Sequence, residues 1–272
     1  MLSATLAAAC SGESGTGNIS WSPASSCARS VTVYAGNTVV ESFAFTYDDS
    51  GRLSTLVRTD PVSSKSLLDV RYAYEGTSRV MISGSMADDN KDRTIQVDVV
   101  KGGLEYSAPQ SWKYHVAVSD GMPVSVGTAS KFEAPSGVVS TGAEYEERFT
   151  EESGDISGHT IGTVFKGETG KGTGVMSEGS LSYHYSYTSD PDRQNFDAFL
   201  MECNFAVWYA AGLPGCRHLT SDIKVSGDGV DYQSDQHIDY ELDSDGNILS
   251  AVRTWKSGSE TLLTLKYVFS YE

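Results

Sequence analysis

The chain has 272 residues, among them 27 glycines, 15 tyrosines and only 7 prolines, and carries a net charge of −16. That length can bury the core of one large β domain or two small ones, and the composition suits many short strands joined by tight turns. Phosphate binding needs clustered Lys and Arg, so the acidity argues against a nucleic-acid partner and against binding to an anionic membrane surface.

Residues 1–10, running from Met1-Leu2-Ser3 through Ala7-Ala8-Ala9 to Cys10, look like the end of an apolar signal segment with small residues before a cysteine. The pattern is that of a truncated bacterial lipoprotein signal, with Cys10 as the lipidated residue and a membrane as its partner through the lipid. Residues 11–28, rich in Ser and Gly, read as a flexible tether, although Trp21 and Pro23 hint that its end docks on the body. Cys27, Cys203 and Cys216 remain; Cys203 and Cys216 could pair if the chain doubles back after Gly212, and free buried thiols are the alternative.

From Val31 a strand pattern begins and residues 29–272 read as a single β-rich domain. Phe43, Phe45 and Tyr47 alternate onto one face, Asp48-Asp49-Ser50-Gly51 turns, Leu53 to Thr59 returns, and a third run follows the Asp60-Pro61 break. Displacing the chain by 195 residues lays 43–75 over 238–270 without a gap, with Asp48 on Asp243, Gly51 on Gly246, Val57-Arg58-Thr59 on Val252-Arg253-Thr254, and Tyr72 on Tyr267. This register over three strands suggests a structural repeat of a hairpin unit. Between the copies, further runs such as Arg79–Ser85, Thr94–Val100 and Leu181–Thr188 are separated by turns too short for anything but antiparallel neighbours.

The stretch from Pro191 to Gly212 departs from this pattern. Pro191 suits a first helical turn, Gly212 and Pro214 a stop, and Phe196, Phe199, Leu200, Cys203, Val207 and Ala210 share a 3.6-residue face. Met201, Phe205 and Trp208 add a second apolar row, so the helix needs cover on nearly every side. An open twisted sheet of more than about ten strands is rare. The expected fold is therefore mainly β, an antiparallel meander curled into an incomplete or flattened barrel around one central helix at about 191–212.

Two of these features resemble a known family. The hairpin Phe45-Thr46-Tyr47-Asp48-Asp49-Ser50-Gly51-Arg52-Leu53 is of a style common in secreted Bacteroidota proteins. The segment from Asn195-Phe196-Asp197 to Gly212, Gly215, Arg217, Leu219 and Ser221 resembles the late part of a Bacteroidota envelope lipoprotein family of unknown function with a porin-like fold. The resemblance spans about residues 30–272 and implies an envelope lipoprotein; it brings no catalytic residues.

No catalytic constellation stands out. There is no Gly-x-Ser-x-Gly elbow, and Cys203 lies on the apolar face of the expected helix, where a structural thiol is the simpler reading than a nucleophile paired with His218 or His237. His115, His159, His184, His218 and His237 lack metal-ligand spacing, and Asp243-Ser244-Asp245-Gly246-Asn247 reads as a hairpin turn rather than a calcium loop, so neither metal nor cofactor is expected. The run Glu144, Glu146, Glu147, Glu151 and Glu152 singles out no acid–base pair. The aromatic residues give the best hint of binding. Tyr183, Tyr185 and Tyr187 share one strand face, and with Trp112, Trp208 and Tyr209 they offer surfaces suited to stacking a sugar or an apolar molecule, or else they line the core.

The sequence thus points to a non-enzymatic, lipid-anchored protein of the cell envelope and outer membrane, binding an apolar molecule or a glycan in a barrel-like pocket. A glycan or peptide hydrolase, a surface-interaction protein with no small ligand, and an integral outer-membrane barrel are the rival expectations.

Overall fold

The computed structural model describes residues 28–85, 92–107, 113–119, 122–133, 139–169, 172–191, 218–228 and 235–271. The strands are β1 (Ser30–Ala35), β2 (Thr38–Tyr47), β3 (Leu53–Asp60), β4 (Lys65–Glu75), β5 (Arg79–Ser85), β6 (Asp92–Val100), β7 (Gly103–Ser107) and β8 (Lys113–Ser119). They continue as β9 (Met122–Glu133), β10 (Val139–Glu152), β11 (Asp155–Thr169), β12 (Gly172–Pro191), β13 (His218–Asp228), β14 (Asp235–Leu242), β15 (Ile248–Ser257) and β16 (Glu260–Ser270). Each pairs antiparallel with its sequence neighbours, and β1 pairs with β16, so the meander is a closed 16-strand barrel.

This corrects the expected incomplete barrel around a central helix. The first and last strands meet over Ser30↔Ser270 to Tyr34↔Lys266, because an unclosed meander would leave two rows of unpaired N–H and C=O groups. Pro191, expected in a first helical turn, instead ends β12 opposite His218, a strand-end position that tolerates a missing N–H. There is no helix among the described residues; the rest of the expected helix lies outside them.

Alternation then sorts the side chains. Val31, Val33, Phe43, Phe45, Val70, Tyr72, Val80, Ile82, Ile95, Val97, Tyr267 and Phe269 are buried and belong to one apolar core inside the barrel. The intervening residues point outward, and many are charged: Asp69, Arg71, Glu75, Arg79, Asp98, Glu105, Lys224, Asp239 and Lys266. Apolar inside and polar outside is the arrangement of a barrel standing in water, the inverse of one with a lipid-facing band.

The two rims differ. At the lower rim, where the even-numbered strands turn into the odd ones, Leu53, Leu104, Ile156, Leu219 and Ile248 are almost completely buried. Among the described residues, five half-buried tyrosines stitch this rim, each near or just beyond the end of an even strand and donating its hydroxyl to a carbonyl at or just before the start of the preceding odd strand. Tyr47 bonds to Ala28 at 2.8 Å, Tyr74 to Leu53 at 2.9 Å, Tyr187 to Ile156 at 2.5 Å, Tyr240 to Thr220 at 2.8 Å and Tyr271 to Ile248 at 2.9 Å. Two of the rim turns close identically: the Asp48 carboxylate accepts the N–H groups of Ser50 and Arg52, and the Asp243 carboxylate those of Asp245 and Asn247. Gly51 and Gly246 supply the positive φ, 75° and 81°, that both turns need.

Burial pushes the ionisation of the Tyr74 hydroxyl well above its ordinary range, so this group stays a donor at any working pH. Replacing Tyr74 by Phe keeps the ring and removes the bond to the Leu53 carbonyl. We expect a loss of about 1 kcal/mol of stability in urea unfolding, with an unchanged denaturant slope.

Candidate functional site

The upper rim, where the odd-numbered strands turn into the even ones, is where the lumen meets solvent. Here inward positions are no longer sealed: Leu263 is 44% exposed, and Trp255 opposite it in the ladder is half-buried. Polar side chains take over from the apolar core at the same level.

Four of them form two matching pairs. On β3 the Arg58 guanidinium grips the Glu41 carboxylate of β2, with Nε and a terminal nitrogen both directed to Oε1. On β15 the Arg253 guanidinium grips the Gln236 side-chain oxygen of β14 in the same way, Nε at 2.7 Å and a terminal nitrogen on the same atom. Glu41 and Gln236 are again 195 positions apart, as are Arg58 and Arg253. Arg58 lies 5.8 Å from the centroid of the Phe43 ring and Arg253 4.4 Å from that of Trp255, so each cation also rests over an aromatic face. Tyr267 of β16 lies beside them; burial raises the ionisation of its hydroxyl, and the Arg253 charge and hydrogen bond oppose that shift.

The pairs differ in depth. The Arg58 side chain is 45% exposed and its Glu41 partner 20%, whereas Arg253 as a residue is only 6% exposed. The arrangement is a mouth with a polar collar of Glu41, Arg58, Gln236 and Arg253, aromatic walls of Phe43, Trp255 and Tyr267, and an apolar interior beneath. It can hydrogen-bond and stack a ligand; it holds no nucleophile beside a base.

Of the aromatic residues singled out from the sequence, Tyr183, Tyr185 and Tyr187 lie away from this mouth. Tyr183 and Tyr185 are buried in the core at 4% and 8% exposure, and Tyr187 is one of the rim-stitching hydroxyls. Their alternation with outward His184 and Ser186 is as the pattern suggests. Tyr183 stacks on the buried His159 ring at 5.6 Å, which in turn stacks on Phe149 at 4.3 Å, a three-strand aromatic row across β10, β11 and β12. Trp112, Trp208, Tyr209 and Cys10 lie outside the described residues, as do Cys27, Cys203 and Cys216.

The residues that sequence reasoning missed are Glu41, Gln236 and Trp255, while Arg58 and Arg253 were noticed only as matching positions. The available signal was parity: Arg58 lies two residues beyond inward Leu56, and Arg253 two beyond inward Ala251.

Acid–histidine pairs are built into the wall rather than the mouth, among them His115 with Glu105 at 3.8 Å across β7 and β8. The buried Asp155 carboxylate accepts the His218 backbone N–H at 3.0 Å and meets its ring Nδ1 at 2.9 Å. His237 lies between Asp222, 2.8 Å from Nδ1, and Asp239, 3.3 Å from Nε2, on the outer face. Among the described residues the β13–β14 ladder has two residue pairs, Asp222↔His237 and Ile223↔Gln236, so this ion pair joins the two strands at one of those pairs.

In overall shape the chain is similar to solved β-barrel structures. One is a porin-like protein from Bacteroides vulgatus, 16% identical, with a TM-score of 0.54 over 90% of this chain and 98% of that one. Another is a porin-like protein from Bacteroides uniformis, 11% identical, with a TM-score of 0.40 over 93% of this chain and 100% of that one. The fold is porin-like. No protein-family model and no curated protein matches the chain.

Two measurements follow from this geometry. Arg253→Met strands the Gln236 oxygen in a buried site and is expected to cost about 3 kcal/mol in chemical unfolding, while Arg58→Met, half in water, costs under about 1 kcal/mol. The His237 imidazole is held above its ordinary pKa of 6.5, first by its hydrogen bond to Asp222 against a partial loss of solvation. A raised folded-state pKa means that the stabilisation is complete below about pH 6.5 and is lost as pH rises through the folded value. Melting curves from about pH 6 to pH 9 should show this loss in the wild type and not in His237→Gln.

Proposed function

We propose that this is a non-enzymatic, lipid-anchored protein of the cell envelope whose barrel holds an apolar molecule or a glycan at its upper mouth. The observation that carries the reading is the gradient along the lumen, from a sealed apolar floor to an open collar of arginine, glutamate, glutamine and aromatic rings. An amphipathic ligand, or a sugar stacked on Trp255, meets complementary surface there. Cys10, preceded by small apolar residues, supports the lipid anchor, and the porin-like fold of proteins from Bacteroides supports an envelope address.

The rival reading suggested by that fold is a membrane-spanning pore. Outward charges such as Asp69, Arg71, Arg79 and Asp98 weigh against it, since facing an arginine to the middle of a bilayer costs about 2–4 kcal/mol. A water-facing barrel tethered by lipid needs no such expense.

Native mass spectrometry of the chain from Ser11 onward, purified without detergent and then solvent-extracted, tests the proposal. A soluble species carrying a stoichiometric lipid or glycan, released by Arg253→Met or by Trp255→Ala, is the expected result. A chain that stays in solution only with detergent would overturn the water-facing reading, and a bare soluble monomer would overturn the ligand.

A further inference from the structure

We propose a second binding site, unrelated to the lumen: a groove on the outer wall of β4, β5 and β6 that takes a short zwitterionic peptide. The outer surface of a barrel is convex, yet here it is hollowed into a cleft of about 360 Å³ near the upper rim. Gly84 is part of its lining. Gly84 has φ of 128°, and a Cβ placed on it would sit 2.1 Å from the Asp69 carbonyl oxygen, so β4 and β5 approach there more closely than any other residue would permit.

The ladder sorts the cleft's outward side chains into two rows. Arg71, Ser83 and Thr94 are direct neighbours across the three strands, and Asp69, Ser85 and Asp92 form the next row. One row therefore offers a guanidinium with two hydroxyls, and the other two carboxylates with one hydroxyl. Two residues along a strand separate the rows by about 7 Å.

These charges are not spent on each other. Arg71 is the one arginine among the described residues that has no partner: Arg52 binds Asp48, Arg58 binds Glu41, Arg79 binds Asp98 at 2.6 Å, Arg253 binds Gln236, Arg29 lies over Tyr47, and Arg93 and Arg148 are also engaged. Asp69 and Asp92 likewise enter no ion pair with the described residues. Placing an unpaired cation and two unpaired carboxylates in one cleft, while their neighbours on the same wall pair off, favours a ligand carrying both charges. The spacing selects its length. In an extended dipeptide the ammonium and carboxylate lie about 6 Å apart, one 3.8 Å Cα–Cα step plus a bond at each end, which spans the rows; in a single amino acid they are too close. The carboxylate falls on Arg71 with Ser83 and Thr94, and the ammonium between Asp69 and Asp92.

Titration of the protein with glycylglycine, followed by amide chemical shifts at low salt, tests the site. Saturable binding in about the millimolar range is expected, since the groove is open to water, weakening about tenfold in Arg71→Gln and in Asp69→Asn and falling further with added salt. Glycine and N-acetyl-glycylglycine amide should bind at least about tenfold more weakly. No saturation, binding by either variant as tight as that of the wild type, or equal binding of the capped dipeptide would each overturn the proposal. Because the groove lies on the outside, emptiness of the lumen leaves this test unaffected.

Discussion

Everything in this molecule depends on one ladder, the five residue pairs by which β1 meets β16. With that seam shut, no strand has a free edge, and every strand acquires one face turned to a closed interior and one turned outward. The apolar set Val31, Val33, Tyr267 and Phe269 sits on the inner face of those same two strands, so the contact that closes the ring also joins the two ends of the core. Burial of each large side chain contributes roughly 1.5–3 kcal/mol, which makes closure the favoured way to use the alternation already written into each strand. The cost is local. Antiparallel hairpins leave carbonyls unpaired where strands begin, and the tyrosine hydroxyls of the lower rim supply donors to them without bringing in charge.

Much of this was legible in the sequence and some was not, for identifiable reasons. Strand runs and their Gly and Asp turns are local features, and the outward–inward alternation of Tyr183, His184 and Tyr185 could be read directly. Closure could not, because whether the two ends of a long meander meet depends on shear and curvature accumulated over all the strands. Pro191 misled for a related reason. Proline suits a first helical turn, but it also suits the end of a strand, and only the pairing with His218 distinguishes the two. In β3 even parity fails locally, since Leu53 and Leu56 are both buried around a bulge opposite Thr46 and Tyr47, and a simple period of two cannot place both inside.

The candidate mouth was hidden differently. Nothing in Arg58 or Glu41 alone marks a site, because their meeting depends on the register of two strands that places them together across 17 positions. The same separation joins Gln236 and Arg253, and both arginines are identical under the displacement of 195 that aligns the two hairpin units. The matching residues were visible in the sequence as a coincidence of letters. What the geometry adds is that the coincidence extends to the acceptors and to the way each guanidinium fork is used, with two nitrogens on one oxygen.

The difference between the acceptors of those forks, a carboxylate in one and an amide in the other, follows their burial. At Arg58, half in water, a charged partner loses little hydration and gains an ion pair screened by solvent. At Arg253, buried to 6% exposure, a carboxylate would have to surrender most of its hydration, a loss that commonly exceeds the Coulombic gain, whereas the Gln236 amide accepts the same two bonds at a smaller desolvation cost. The Trp255 face then adds stabilisation to the cation from its other side. The mouth therefore grades from an ion pair partly in water at Arg58 to a guanidinium at Arg253 held by a neutral amide and an aromatic ring, so that the cation carried furthest from water is the one whose partners lose the least hydration.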